Sequence, residues 1–151
     1  MRPQLNSGTL GGRMKLTSDA GDFVELAARG RPGEADLALT VRVSYDGFVG
    51  ETETWIERHE WFGFTQSLAV LEERRSGEAK LRSMSPGELN LTLKALDRLG
   101  HLGVGGLIAK RQFDREITLQ FSEFAFDPSQ IVAFARQARS VSESLGSPHS
   151  R

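Results

Sequence analysis

The sequence predicts an α+β fold, a curved and mostly antiparallel β-sheet of about six to eight strands packed by two α-helices. Three observations point there. Residues 37–45 alternate apolar and polar without a break, residues 60–75 switch to helical spacing, and a second helical stripe follows a further run of alternating segments. Runs of strands punctuated by single helices favour antiparallel pairing over the strand–helix alternation of a parallel sheet.

From the N-terminus, MKLTS and DFVELAA read as two strands on either side of Asp19-Ala20-Gly21, and ARGRPGEAD (28–36) reads as a loop. Leu37, Leu39, Val41, Val43 and Tyr45 then face one way, with Ala38, Thr40, Arg42 and Ser44 between them. Asp46-Gly47 tolerates the positive φ angles of a type I′ turn, so the chain reverses there and returns as Phe48 to Ile56. A two-residue turn sets Tyr45 opposite Phe48 and Leu37 opposite Ile56. Glu51, Glu53, Trp55 and Glu57 then point to the outward face.

From Glu60 to about Arg75, Trp61, Phe64, Leu68 and Leu71 form one stripe of a helix that Ser76-Gly77 stops. Gly63 inside it costs up to about 1 kcal/mol against alanine, so packing must hold the helix. Ala79 and Leu81 alternate with Lys80 and Arg82, Met84-Ser85-Pro86-Gly87 makes a turn, and Leu89, Leu91, Leu93 and Ala95 form another strand. His101 to Ala109 and Glu116 to Phe126 continue as antiparallel partners. Apolar positions change from even to odd across Gly105-Gly106, and from odd to even across Ser122-Glu123. Each change of parity predicts a bulge or sharp bend. The final helix starts at Asp127-Pro128-Ser129-Gln130, with aspartate as N-cap and glutamine completing a capping box. Ile131, Phe134, Ala135, Ala138 and Val141 supply its buried stripe.

At 151 residues, the length fits a single domain over 13–145, between flexible termini at 1–12 and 146–151. A 38% hydrophobic and 26% charged composition is that of a globular chain. A net charge of -1 gives no global pull toward nucleic acid or an anionic membrane. The absence of cysteine excludes disulfides, thiolate metal sites and a cysteine nucleophile. No run approaches the roughly 18 apolar residues of a membrane span, and no signal-like segment opens the chain, so a cytoplasmic location is expected.

Catalytic chemistry finds little to work with. His59 and Glu60 precede a helix and His101 opens a strand, but no HxH or HExxH spacing joins them into a zinc site. His59 reads equally as a residue at a helix start, and His101 as a half-buried residue bonded to backbone. The serines at 83 and 85 are turn formers outside any G-x-S-x-G elbow. The glycines at 100, 103, 105 and 106 do not lead from strand into helix, so they fail the dinucleotide fingerprint; they fit a place where another backbone comes close. No catalytic residue, metal ligand or cofactor is therefore nominated. The binding candidate is the acidic strand face Glu51, Glu53, Trp55 and Glu57, an aromatic among carboxylates suited to a basic protein partner. Its plain alternative is a solvated face with Trp55 covered by a loop.

The segments Trp61–Leu71, Gly77-Glu78-Ala79, Leu89–Leu93, Gly100-His101 with Val104 and Gly106, and Phe121–Gln130 together resemble the WapI-type immunity proteins and related uncharacterised single-domain bacterial proteins. The resemblance spans about residues 36–142. It implies a cytosolic, non-enzymatic antitoxin that blocks a cognate protein toxin by contact, and it carries over no binding residue, because the matched positions hold the scaffold. A ligand-binding or regulatory module in bacterial defence or secretion is the alternative function. An enzyme using His101 or His59 with a neighbouring carboxylate is a third. The sequence leaves the oligomeric state open.

Overall fold

Among the described residues, eight strands and two helices succeed one another. The computed structural model describes residues 9–29 and 36–146, with side chains from residue 12 onward. Most of the segment expected as a loop at 28–36, and most of both expected tails, lie outside the described residues. β1 (Thr9–Thr17) begins inside the stretch expected to fray.

The strands divide into two antiparallel sheets rather than forming a single curved one. β1, β2 (Phe23–Arg29), β3 (Asp36–Tyr45) and β4 (Phe48–Glu57) make the first, in that order. β5 (Glu78–Arg82), β6 (Leu89–Ala95), β7 (Leu102–Gln112) and β8 (Arg115–Phe126) make the second. Helix α1 (Arg58–Arg74) separates them in sequence, and α2 (Gln130–Leu145) follows β8.

Alternation sets which side of each strand is buried. Val24, Leu26 and Ala28 of β2 and Leu37, Leu39, Val41 and Val43 of β3 lose all solvent exposure, as do Leu91 and Leu93 of β6. The β3–β4 hairpin has the expected register, Tyr45 opposite Phe48 and Leu37 opposite Ile56. Asp46 (φ 51°) and Gly47 (φ 87°) give the turn its two positive φ angles. The stripe of α1 is buried at Trp61, Phe64, Thr65, Leu68 and Leu71. It meets β5 on one side and α2 on the other. Trp61 and Phe64 lie 5.4 Å apart, and Phe64 meets Phe134 edge-on at 6.4 Å. Each such ring contributes about 1.5–3 kcal/mol on burial, which outweighs the glycine inside α1. Helix α1 ends at Arg75, whose φ is 53° and whose N–H reaches Leu71 O at 2.9 Å.

The start of α2 departs from the capping-box expectation. Asp127 Oδ1 accepts from the Ser129 N–H at 3.0 Å, but Gln130 does not turn back on its own helix. Its amide pairs with β1 instead: Nε2 donates to Thr17 O at 2.9 Å, and Oε1 accepts from Thr17 N–H at 2.8 Å. One turn pair further on, Gln137 Oε1 accepts from Gly12 N–H at 2.6 Å. β1 is an edge strand lying against α2, and its backbone groups there would otherwise be unsatisfied. The two glutamines stand in for a missing strand, a stronger demand than closing one helix cap. β1 also carries a register shift between Leu10 and Met14 that its alternation did not reveal.

Of the two bends expected from parity, one is a bulge. Val104 pairs Phe124 and Gly106 pairs Phe121, so Ser122 and Glu123 of β8 together oppose Gly105. β7 has no inserted residue: its ladder with β6 runs unbroken from Leu102 to Ile108. Gly106 holds an inward slot opposite Leu91, and Ile108, not Leu107, continues the core. The expected close approach occurs there. A Cβ on Gly106 would lie 2.0 Å from Asn90 O, at a φ of 153°.

Two glycines thus give opposite predictions. Gly106→Ala forces backbone against backbone and should lower unfolding free energy by roughly 2–4 kcal/mol. Gly63→Ala, with nothing within 4 Å of the added methyl, should raise it by about 0.5–1 kcal/mol. Urea denaturation of both variants measures this; a neutral Gly106→Ala would contradict the packing described.

Candidate partner-binding face

β4 presents a regular exposed surface, and its inner side explains why it is held still. Thr52, Thr54 and Ile56 turn inward and are buried. Thr52 Oγ1 donates to Ala109 O at 3.0 Å, and Thr54 Oγ1 donates to a carboxylate oxygen of Glu88 at 2.6 Å. Beside them the Met84 N–H donates to Trp55 O at 2.8 Å. These bonds fasten the edge of the first sheet to the second where β6 begins and β7 runs on.

Inward threonines fix the outward set by alternation. Val49, Glu51, Glu53, Trp55 and Glu57 are all exposed, and Trp55 retains 53% of its surface. All four residues nominated from sequence therefore fall on one strand face. Their cross-strand neighbours on β3 differ. Glu51 stands opposite Arg42, within a row that reads Lys15, Glu25, Arg42, Glu51 across the sheet. Glu53 stands opposite Thr40, and Trp55 opposite the small Ala38, which leaves its ring uncovered from that side. Glu57 lies opposite Asp36, with His59 Nε2 3.6 Å away. Negative charge thus concentrates toward the Glu53–Glu57 end.

Two further residues join this face without any local signal in the sequence. Glu88 lines a groove of about 330 Å³ with Glu51, Glu53, Lys110 and Arg111. Met84, half-exposed, sits beside Trp55 through the backbone bond already described. Both reach β4 from the β5–β6 connection, a contact that periodicity cannot encode.

The remaining chemistry-bearing residues are dispersed. His59 keeps 80% of its side chain exposed. His101 is also exposed, contrary to the half-buried reading, and its Nδ1 lies 2.6 Å from Asp97 Oδ2. Asp97 Oδ1 accepts from the N–H groups of Leu99 (2.8 Å) and His101 (3.3 Å), closing the β6–β7 connection. Ser83 Oγ donates to Ser85 O and accepts from Leu89 N–H, as a turn former does. Among the described residues, no group of three or more histidine and carboxylate side chains is disposed to hold a metal ion. None of the helices described is long and apolar enough to cross a membrane. The outer face of the second sheet forms a concavity of about 610 Å³, but its lysines are engaged locally, Lys80 with Glu78 at 3.3 Å and Lys94 with Glu123.

The ring bond from His101, helped by the Leu99 and His101 amides, holds the Asp97 carboxyl below the usual carboxylate range. A depressed folded-state pKa means the loop's anchoring is complete above the ordinary carboxylate value and is lost as pH falls through the depressed one. Carbon-detected NMR titration should show Asp97 titrating low, and His101→Ala should move it back toward the ordinary value. An unmoved Asp97 in that variant would refute the assignment of cause.

The immunity protein WapI-like family matches residues 15–146. The chain belongs to that family. No curated protein and no solved structure matches it.

Proposed function

We propose that the chain, as a member of an immunity protein family, binds a cognate protein toxin and blocks it by contact, without catalysis. The toxin-facing surface in this reading is the outward side of β4: Glu51, Glu53, Trp55 and Glu57, extended by Glu88 and Met84. The observation that carries it is Trp55, half-exposed on a strand whose other side is fastened by buried threonine hydrogen bonds. An aromatic held ready on a rigid strand loses little conformational freedom when a partner covers it, which is why such residues dominate interface energetics. The carboxylates around it attract a basic surface and speed encounter more than they strengthen the final complex. The same reading places the protein in the cytoplasm, with a protein partner rather than a nucleic acid.

This reading predicts a toxin encoded next to the chain's own gene, and that toxin is the ligand for the test. Trp55→Ala should weaken binding by about 2 kcal/mol or more, on the order of thirtyfold in Kd. Glu51→Lys with Glu53→Lys should mainly slow association and flatten its salt dependence. Surface plasmon resonance at two ionic strengths separates the effects. If toxin binds both variants like the parent protein, β4 is not the contact surface. If the purified chain removes toxin activity through turnover, the non-catalytic reading fails.

A further inference from the structure

The two open sheets have four outer edges, and three of them are engaged. The β1 edge is satisfied by Gln130 and Gln137, β4 is tied to the second sheet by the bonds from Thr52 and Met84, and the Arg82 N–H of β5 donates to Glu60 Oε2 at 3.0 Å. β8 differs. Among the described residues no strand pairs with its outer side, and no other hydrogen bond reaches the backbone there.

Which of its backbone groups face outward follows from its neighbour. Ala109 of β7 pairs with Thr118 in register, yet its N–H donates to Glu88 O at 2.9 Å and its C=O accepts from Thr52 at 3.0 Å. Ala109 therefore spends its backbone groups on the side away from β8, and Ala109–Thr118 is a non-hydrogen-bonded pair. In an antiparallel ladder such pairs alternate with bonded ones. Thr118 then directs its own N–H and C=O out of the sheet, and Glu116 and Gln120 do the same.

The side chains along this edge read Glu116, Ile117, Thr118, Leu119, Gln120, a pattern symmetric in chemistry about Thr118. An antiparallel partner of identical sequence centred there would set Glu116 beside Gln120 and Ile117 beside Leu119. No like charges would meet. Ile117, still 60% exposed, would gain an apolar neighbour, as would the half-buried Leu119. We propose that the free edge of β8 pairs antiparallel with the same edge of a second copy of this chain, joining two four-stranded sheets across a two-fold axis. The pairing supplies on the order of six backbone hydrogen bonds and covers a strand that would otherwise invite indiscriminate association. The bulge at Ser122–Glu123 ends the pairing on one side by bending the edge away. The pairing uses the β8 edge and not Trp55 or Glu57, although Ile117 and Leu119 line a pocket with Gly50 and Glu51 of β4.

Sedimentation equilibrium tests this on the full chain. The mass should rise from 16.7 kDa toward twice that value as concentration increases to about 100 μM, enough to populate a dimer of micromolar Kd. Thr118→Pro removes the outward N–H while leaving the bonds to β7, and Ile117→Lys places a charge against Leu119 of the other copy. Each should shift dimerisation by at least about tenfold, with circular dichroism unchanged. Because Ile117 is exposed, that variant keeps the test meaningful if the proline variant folds poorly. A parent protein that stays monomeric throughout this range overturns the proposal, as does a dimer untouched by Ile117→Lys.

Discussion

The join between the two sheets along β4 is the constraint on which the rest of the molecule depends. An edge strand ordinarily leaves half of its backbone groups to water, and here part of that edge is buried against β7 and the β5–β6 connection. The Met84 N–H meets Trp55 O on that edge, and from inside the core the Thr52 and Thr54 hydroxyls reach acceptors across the join, where valine would have the same shape but no hydrogen bond to give. Each neutral bond adds only about 1 kcal/mol net, yet a buried acceptor left without its donor costs about 1–3 kcal/mol. The asymmetry makes the join selective: only the register that brings Thr52 to Ala109 O and Thr54 to Glu88 satisfies it. Once that register is set, alternation leaves no freedom in what faces outward. Glu51, Glu53, Trp55 and Glu57 are displayed because Thr52, Thr54 and Ile56 are not.

The second sheet carries a matching backbone constraint. Gly106 lets Asn90 O come to a distance no Cβ tolerates, and the bulge opposite Gly105 bends β8 at the same level. On either side of the bulge, Phe121 and Phe124 close on Tyr45 of β3, with ring centres 5.9 and 6.4 Å away. Bend, ring cluster and threonine join thus hold the sheets to one another at separate points. The helices fill the remaining space, with α1 against β5 and α2 against β1. A face anchored at several points can present an aromatic without ordering it anew at each encounter.

What was legible beforehand was local. Nine alternating residues and an Asp-Gly dipeptide define the β3–β4 hairpin to its register, because strand period and turn chemistry are both properties of short sequence. The stripes of α1 and α2 are legible for the same reason. The even-to-odd reading of β7 failed at Gly106, an inward position with no side chain to announce it. Ala109 misled in turn, since it is buried by the join to β4 rather than by the core. Gln130 looked like a capping residue because the need it serves, the edge of β1, lies 113 residues away in sequence. Glu88 and Met84 escaped notice for that reason too. The acidic face was visible as a pattern, whereas its rigidity arises from contacts that only the folded chain creates.

The central claim is that this fastened strand presents a working surface on its outward side. Hydroxyl-radical footprinting of the chain with and without the proposed toxin partner addresses it directly, because one tryptophan reports on the surface and the other on the core. Trp55 should oxidise readily alone and become protected in the complex, while Trp61, with no exposed surface, stays unreactive in both. Protection at the Asp97–His101 loop or on the outer face of the second sheet, with Trp55 oxidising as fast as before, would contradict the account.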